Sequence, residues 1–174
     1  MNIGILFYLE KLHTIKLFLM KFTVGFRKAT HDDLDFLLDL RKKSMSKHLA
    51  NAKIKLTNEQ HLERVKEQYY DSHIILRDRK PIGLLKLGVV ALNNTSKSLH
   101  IKQLQILPKF QGQGIGSKVL TVVKKKALQL HLPITLNVLL KNPARGLYLR
   151  HGFQIEGKNK LEFQMRCPLE VLAA

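Results

Sequence analysis

Three glycines at alternate positions, Gly112, Gly114 and Gly116, stand in the run Gln111-Gly-Gln-Gly-Ile-Gly116, directly ahead of a helical pattern. Such a run lets the backbone curl tightly with its N–H groups turned outward. A helix N-terminus behind it adds partial positive charge, so the natural ligand is a phosphate or pyrophosphate. A P-loop is excluded, because Lys118 is preceded by Ser117 and followed by Val119 rather than closing Gly-Lys-Ser/Thr. The dinucleotide fingerprint also fails: position 117 is Ser, and no Asp or Glu between 117 and 155 is available for a ribose. What remains is the pattern Gln/Arg-x-x-Gly-x-Gly/Ala, met by Gln111, Gly114 and Gly116. The eight histidines show no metal-ligand spacing, so no metal site is expected.

The elements that must carry this loop can be read from pattern. Phe22 to Arg27 reads as a strand, and Thr30 as the N-cap of a helix whose apolar face is Leu34, Leu37, Leu38 and Met45. Thr57 and Gln60 form a capping-box pattern for a second helix with Leu62, Val65 and Tyr69 on one face. His73–Arg77, Ile82–Leu92 and Leu99–Leu107 read as three strands of an antiparallel meander, with a turn at Asp78–Pro81. After the glycine loop a helix runs to about Leu130, buried through Val119, Leu120, Val123, Ala127 and Leu130. Ile134–Leu139 is an apolar strand, Asn142–Arg150 a short helix stopped by Gly152, and residues 153–166 a closing hairpin. The fold class is therefore α/β in the mixed (α+β) sense.

Length and charge bound the function. A chain of 174 residues with 45% hydrophobic residues makes one domain with a substantial core. The net charge is +17, and residues 108–174 hold 11 basic against 3 acidic side chains. Nucleic acid, an anionic membrane, an acidic substrate or a polyphosphate cofactor would each suit that balance. Lys124-Lys125-Lys126 is a solvated helix face, and no zinc finger, helix-turn-helix or aromatic-interleaved basic surface accompanies it, which argues against nucleic acid. The single Cys167 points to a reducing compartment, and a cytoplasmic location is the expectation. Residues 1–19 are broken by Glu10, Lys11, His13 and Lys16, too polar for a spanning helix. They read as an extension ahead of a single domain over 20–174, with Met20 a plausible initiator.

Two blocks carry a family resemblance: Gln105-Ile-Leu-Pro-Lys-Phe-Gln-Gly-Gln-Gly-Ile-Gly116 and Asn142-Pro-Ala-Arg-Gly-Leu-Tyr-Leu-Arg-His-Gly-Phe153. In that order, with one strand between them, they resemble the GNAT superfamily of acetyl-CoA-dependent N-acetyltransferases over about 22–168. The resemblance implies a mostly antiparallel central sheet splayed between its two central strands, with acetyl-CoA in the splay. It implies that Gln111, Gly112, Gln113, Gly114, Ile115, Gly116 and Ser117 hold the pyrophosphate. Backbone groups of Ile106 and Leu107 would meet the pantetheine arm and polarise the thioester carbonyl. Asn142 would touch the same arm, and Arg145 would help with phosphate. Tyr148 would be the general acid, protonating the departing thiolate.

The reaction implied is direct acetyl transfer to a primary amine of a small molecule or peptide. Relatives place a Glu base where this chain has Gln105 or Asn137, and neither amide takes a proton. Water ordered by Gln103, Gln105 or Asn137 is one substitute, and His100 another. The missing carboxylate keeps open a non-catalytic coenzyme A-binding or basic nucleic-acid-binding module. Pairing of two copies through the sheet or through residues 1–19 is a further expectation.

Overall fold

The computed structural model describes residues 22–173, so the expected extension over 1–19 lies outside the described residues. Seven strands form one sheet in the order β1-β2-β3-β4-β5-β7-β6. They are β1 (Val24–Lys28), β2 (Ser72–Arg77), β3 (Lys80–Ala91), β4 (Lys97–Ile106), β5 (Ile134–Leu139), β6 (Gln154–Lys158) and β7 (Glu162–Cys167). Every neighbouring pair is antiparallel except β4 with β5, which the helix α3 (Ile115–Leu130) connects by a crossover. The meander runs through β1 as well, and its tight turn is Asp78-Arg79, both at positive φ of 50° and 67°. Those angles match a two-residue type I′ turn, which frees Lys80 and Pro81 to start β3 earlier than the turn chemistry implied.

One face of the sheet packs on α3, α4 (Ala144–Arg150) and α5 (Leu169–Ala173) around Val119, Leu120, Val123, Ile134 and Phe153. Leu130, expected on the buried face of α3, is instead 38% exposed, at the helix end. The other face is covered by α1 (Leu34–Asn51) and α2 (Asn58–Lys66), with Leu37, Leu40, Val65, Ile74 and Leu84 as a second core. Thr57 and Gln60 cap α2 reciprocally as the pattern required, with Thr57 N–H donating to Gln60 Oε1 at 2.9 Å.

Helix α1 departs from its expected face. A 3-10 turn, His31–Asp33, precedes it, and the Asp33 carboxylate accepts from Thr30 N–H and from both terminal nitrogens of Arg27, the latter at 2.7 Å. With the start fixed there, the buried stripe is Leu37, Leu40, Arg41, Ser44 and Leu49, whereas Leu34, Leu38 and Met45 are only half-buried. The stripe crosses from core to cavity along its length, which is why two polar residues lie on it.

Pairing between β4 and β5 covers only Leu99↔Ile134, His100↔Thr135 and Ile101↔Leu136. Lys102 is an extra residue on β4, because Leu87 pairs with Ile101 while Lys86 pairs with Gln103. The bulge bends the strand and resets its alternation. Beyond it β4 and β5 diverge, and the expected splay opens between them.

Candidate active site

The splay opens a cavity of about 670 Å³ on the α1–α2 side of the sheet. Gln103, Gln105, Asn137, Asn142, His100 and Tyr148 all line it. The three expected amides and the expected acid therefore converge from distant stretches of sequence. Gln105 is 5% exposed, and the Oε1 atoms of Gln103 and Gln105 are buried without a partner among the described residues. Buried acceptors of that kind are costly unless a ligand or water donates to them. Asn137 is exposed at the cavity wall.

Tyr148 is 6% exposed on α4, with its ring edge-on to Phe153 at 5.6 Å between centroids. Burial pushes its phenol up to about 12, so the group is protonated at any physiological pH. Asn142 sits just ahead of α4, and its Oδ1 accepts from Ala144 N–H at 2.9 Å. That bond closes a local Asx-type turn at the start of the helix that carries Tyr148. His100 is tied through Nδ1 to Thr135 Oγ1 at 2.9 Å, and burial lowers its pKa. Tyr69 and Tyr70 take no part: the Tyr69 hydroxyl donates to Thr30 O at 2.6 Å, and Tyr70 faces solvent. His151 closes the C-terminus of α4.

The glycine loop follows the end of β4 at Ile106. Gly112 and Gly114 adopt positive φ of 72° and 77°, and a Cβ at either would meet nothing within 4 Å. Gly116 serves a different purpose, since a Cβ there would lie 2.8 Å from Leu147 Cδ2. It permits α3 and α4 to approach closely. Among the described residues, the six N–H groups from Gly112 to Ser117 have no backbone partner; the first such bond is Lys118 N–H to Gly114 O at 3.1 Å. A consecutive set of free N–H groups in front of a 16-residue helix is an anion cradle.

Several expected ligands play supporting parts in that loop. Gln111 Nε2 donates to Ile106 O at 2.8 Å, and Gln113 Nε2 to Lys109 O at 2.9 Å. Leu107 requires a correction as a backbone donor: its N–H already donates to Ile82 O at 2.9 Å. Alternation along the strand turns the N–H of Ile106 the opposite way, toward the split. Arg145 rests on the Phe163 ring, its guanidinium 5.0 Å from the centroid.

A family profile described as an acetyltransferase (GNAT) domain matches residues 68–155, just over half of the chain. The chain belongs to the GNAT acetyltransferase family. Solved structures agree on the fold. The N-acetyltransferase PaiA of Thermoplasma acidophilum, crystallised with coenzyme A, is 19% identical with a TM-score of 0.66, over 84% of this chain and 99% of that one. An acetyltransferase from Thermus thermophilus is 20% identical with a TM-score of 0.67, over 84% and 97%. A chimera of the spermidine N-acetyltransferase SpeG from Vibrio cholerae with hSSAT is 22% identical with a TM-score of 0.65, over 86% and 98%. A search of curated proteins by sequence gave no match.

Four charged residues of this acetyltransferase escaped the sequence reading. Arg77, at the end of β2, bonds through Nη1 to Gln113 Oε1 and lies over the Phe22 ring at 4.3 Å, so it backs the glycine loop. Lys86, on β3, is 2% exposed, and its ammonium donates to the carbonyls of Val65 at 3.2 Å and Glu67 at 2.6 Å, at the C-terminal end of α2. Burial pushes it down to about 8. Arg41 and Glu162 line the cavity from α1 and β7. Position alone could not reveal them. Arg41 occupies an apolar-stripe position, the one signal available, and the other three depend on contacts between distant segments.

Among the described residues, no helix is long and apolar enough to cross a membrane. No cluster of His, Cys, Asp or Glu there could hold a metal ion.

Proposed function

We propose that this protein transfers an acetyl group from acetyl-CoA to a primary amine by direct attack, with Tyr148 as general acid. The observation that carries the reading is a phenol that burial holds protonated on the wall of the β4–β5 split, in a chain whose Gly112–Ser117 N–H groups have no backbone partner among the described residues. The chain's residues fit the cofactor: the loop accepts an anion, and Ile106 N–H faces the split. Acetyl-CoA supplies a thioester carbonyl carbon for attack and a thiolate as leaving group.

The residues of the chain then divide the work. Gly112 to Ser117 would hold the pyrophosphate through N–H groups, with Arg77 adding charge behind them. Ile106 N–H would donate to the carbonyl oxygen as negative charge develops on it. The acceptor would enter beside α1 and α2, where the unpaired Oε1 atoms of Gln103 and Gln105 accept from its nitrogen or from an ordered water. The amine must shed one proton, and His100, kept neutral by burial, is available to accept it through Nε2. Tyr148 would return a proton to sulfur as the carbon–sulfur bond breaks. Asn142 would steady the start of α4, which carries Tyr148, through its bond from Ala144 N–H.

Isothermal titration with acetyl-CoA, followed by a thiol-release assay against amines, tests this. Saturable binding and amine-dependent thiol release are expected. No measurable acetyl-CoA binding would overturn the reading.

A further inference from the structure

The acceptor cavity is unevenly charged, and most of its charges are already matched. Arg64 pairs with Glu67 at 3.1 Å, and Lys102 with Asp71 at 2.6 Å. Lys86 keeps its charge but directs its protons at the carbonyls at the end of α2. Two groups are left over. Arg41 is 7% exposed, its Nε is buried without a partner, and it belongs to no ion pair among the described residues. Its neighbours Arg64 and Lys86 carry like charge, and Glu67, the nearby acid, is engaged by Arg64. An uncompensated guanidinium so enclosed is costly to fold around.

The second is Glu162. It pairs with Leu139 across β5 and β7 and lines the same cavity as Tyr148. It too is in no ion pair among the described residues. The cavity thus has a cation on its α1 wall and an anion on its β7 wall, neither matched by an ion pair among the described residues.

We propose that the acceptor is an amine that also carries a carboxylate or phosphate, with that anion held by the guanidinium of Arg41 and the amine turned toward Glu162. This rests on the transferase reading and deepens it. A planar guanidinium offers parallel donors to either anion, which explains why an arginine is kept unpaired there. A polyamine fits poorly, because its second cation would meet Arg41, Arg64 and Lys86.

Thiol release with acceptors that differ in the anion alone tests the proposal: serine against ethanolamine, tyrosine against tyramine, and O-phosphoethanolamine against ethanolamine, with spermidine as the polycation. The anionic member of a pair should have the greater kcat/KM, by about 10- to 100-fold. The ranking of serine and O-phosphoethanolamine then separates carboxylate from phosphate recognition. Arg41→Gln should abolish the difference by raising KM for the anionic acceptor, with coenzyme A affinity unchanged. Arg41→Lys, which keeps the charge without the fork, should fall between. Calorimetry on coenzyme A-saturated wild-type protein needs no variant: serine or O-phosphoethanolamine should bind more tightly than ethanolamine. Equal or better use of ethanolamine, tyramine and spermidine, or a ratio unchanged by Arg41→Gln, would overturn the acceptor class and leave the transferase reading standing. Loss of coenzyme A binding by the wild type would remove the reading on which it rests.

Discussion

Replacing Tyr148 by Phe removes one oxygen from a side chain that is only 6% exposed. The ring stays packed against Phe153, so the fold and the pyrophosphate loop are untouched. What is lost, on the proposed mechanism, is the proton for the departing sulfur. A free phenol titrates near 10 and a thiol near about 8.5, so donation costs about 2 kcal/mol before burial is considered. Burial lifts Tyr148 to about 12, but a thiolate leaving into the same split is desolvated as well, and the two effects offset each other. Full transfer is therefore uphill by a modest amount, and the gain lies in a hydrogen bond that strengthens as charge grows on sulfur. Bonds to charged groups contribute about 1.5–3 kcal/mol, which is about 10- to 150-fold in rate.

Tyr148→Phe should accordingly lower kcat by about 10- to 150-fold. KM and Kd for acetyl-CoA should stay within about twofold, since the phenol acts only as the bond breaks. Stopped-flow thiol release and calorimetry on the same preparation measure both. The pH profile adds a second check. The phenol is raised by burial to about 12, so it stays protonated well into alkaline solution, and wild-type activity should not decline between about pH 8 and 10 through this group. Wild-type kcat in the Phe variant, or a loss of acetyl-CoA affinity equal to the loss of rate, would refute the acid role.

Gly114→Ala places a side chain at φ 77° where space is open, so strain rather than collision is the penalty, about 1–2 kcal/mol. Thermal melts should show that loss, and calorimetry should show weaker coenzyme A binding as the loop relaxes away from its free N–H array. Asp33→Asn breaks the paired bond to Arg27, whose side chain is 41% exposed, so screening limits the loss to about 1–2 kcal/mol, or about 3–6 °C in Tm at pH 7. Arg27 and the Thr30 N–H hold the Asp33 carboxyl below the ordinary value of 3.8, so its contribution is present above that pH and disappears as pH falls through the lowered value. Wild type and Asp33→Asn should therefore converge in Tm as the pH falls through that lowered value.

How much of this is legible in the sequence depends on how local each feature is. The Gln111–Gly116 loop, the Thr57–Gln60 cap and the position of Tyr148 on a short helix after Asn142 are contained in runs of a dozen residues or fewer. Their geometry follows from neighbours in the chain. The splay is anticipated only through the family resemblance. Its local cause, the extra residue Lys102 on β4, shows only when β3 is laid beside it. Arg77 is a similar case, since its link to Gln113 spans 36 positions. Arg41 reads as an interruption of an apolar face, and its burial follows from how the Arg27–Asp33 bond sets the start of α1 against the sheet.

The charge of +17 then divides by consequence rather than by count. Much of the acid is held in pairs: Asp33, Asp39, Glu67, Asp71 and Glu156 each face a cation across the surface or just below it. A surface pair contributes little to stability, but it cancels charge locally. Cations left unmatched on the solvent side cost little, because water screens them. Arg41 differs, since it is only 7% exposed and in no ion pair among the described residues. Folding around it is uphill, and the arrangement makes physical sense if that cost is offset when an anion arrives. The loop at 112–117 is built on the same logic from backbone dipoles rather than a side chain. The protein thus presents positive potential at two separated places, the loop proposed for the cofactor phosphates and the cavity wall at Arg41 proposed for the acceptor. A substrate with a single cationic amine and an anionic tail matches it, and a polycation is repelled before it reaches Tyr148.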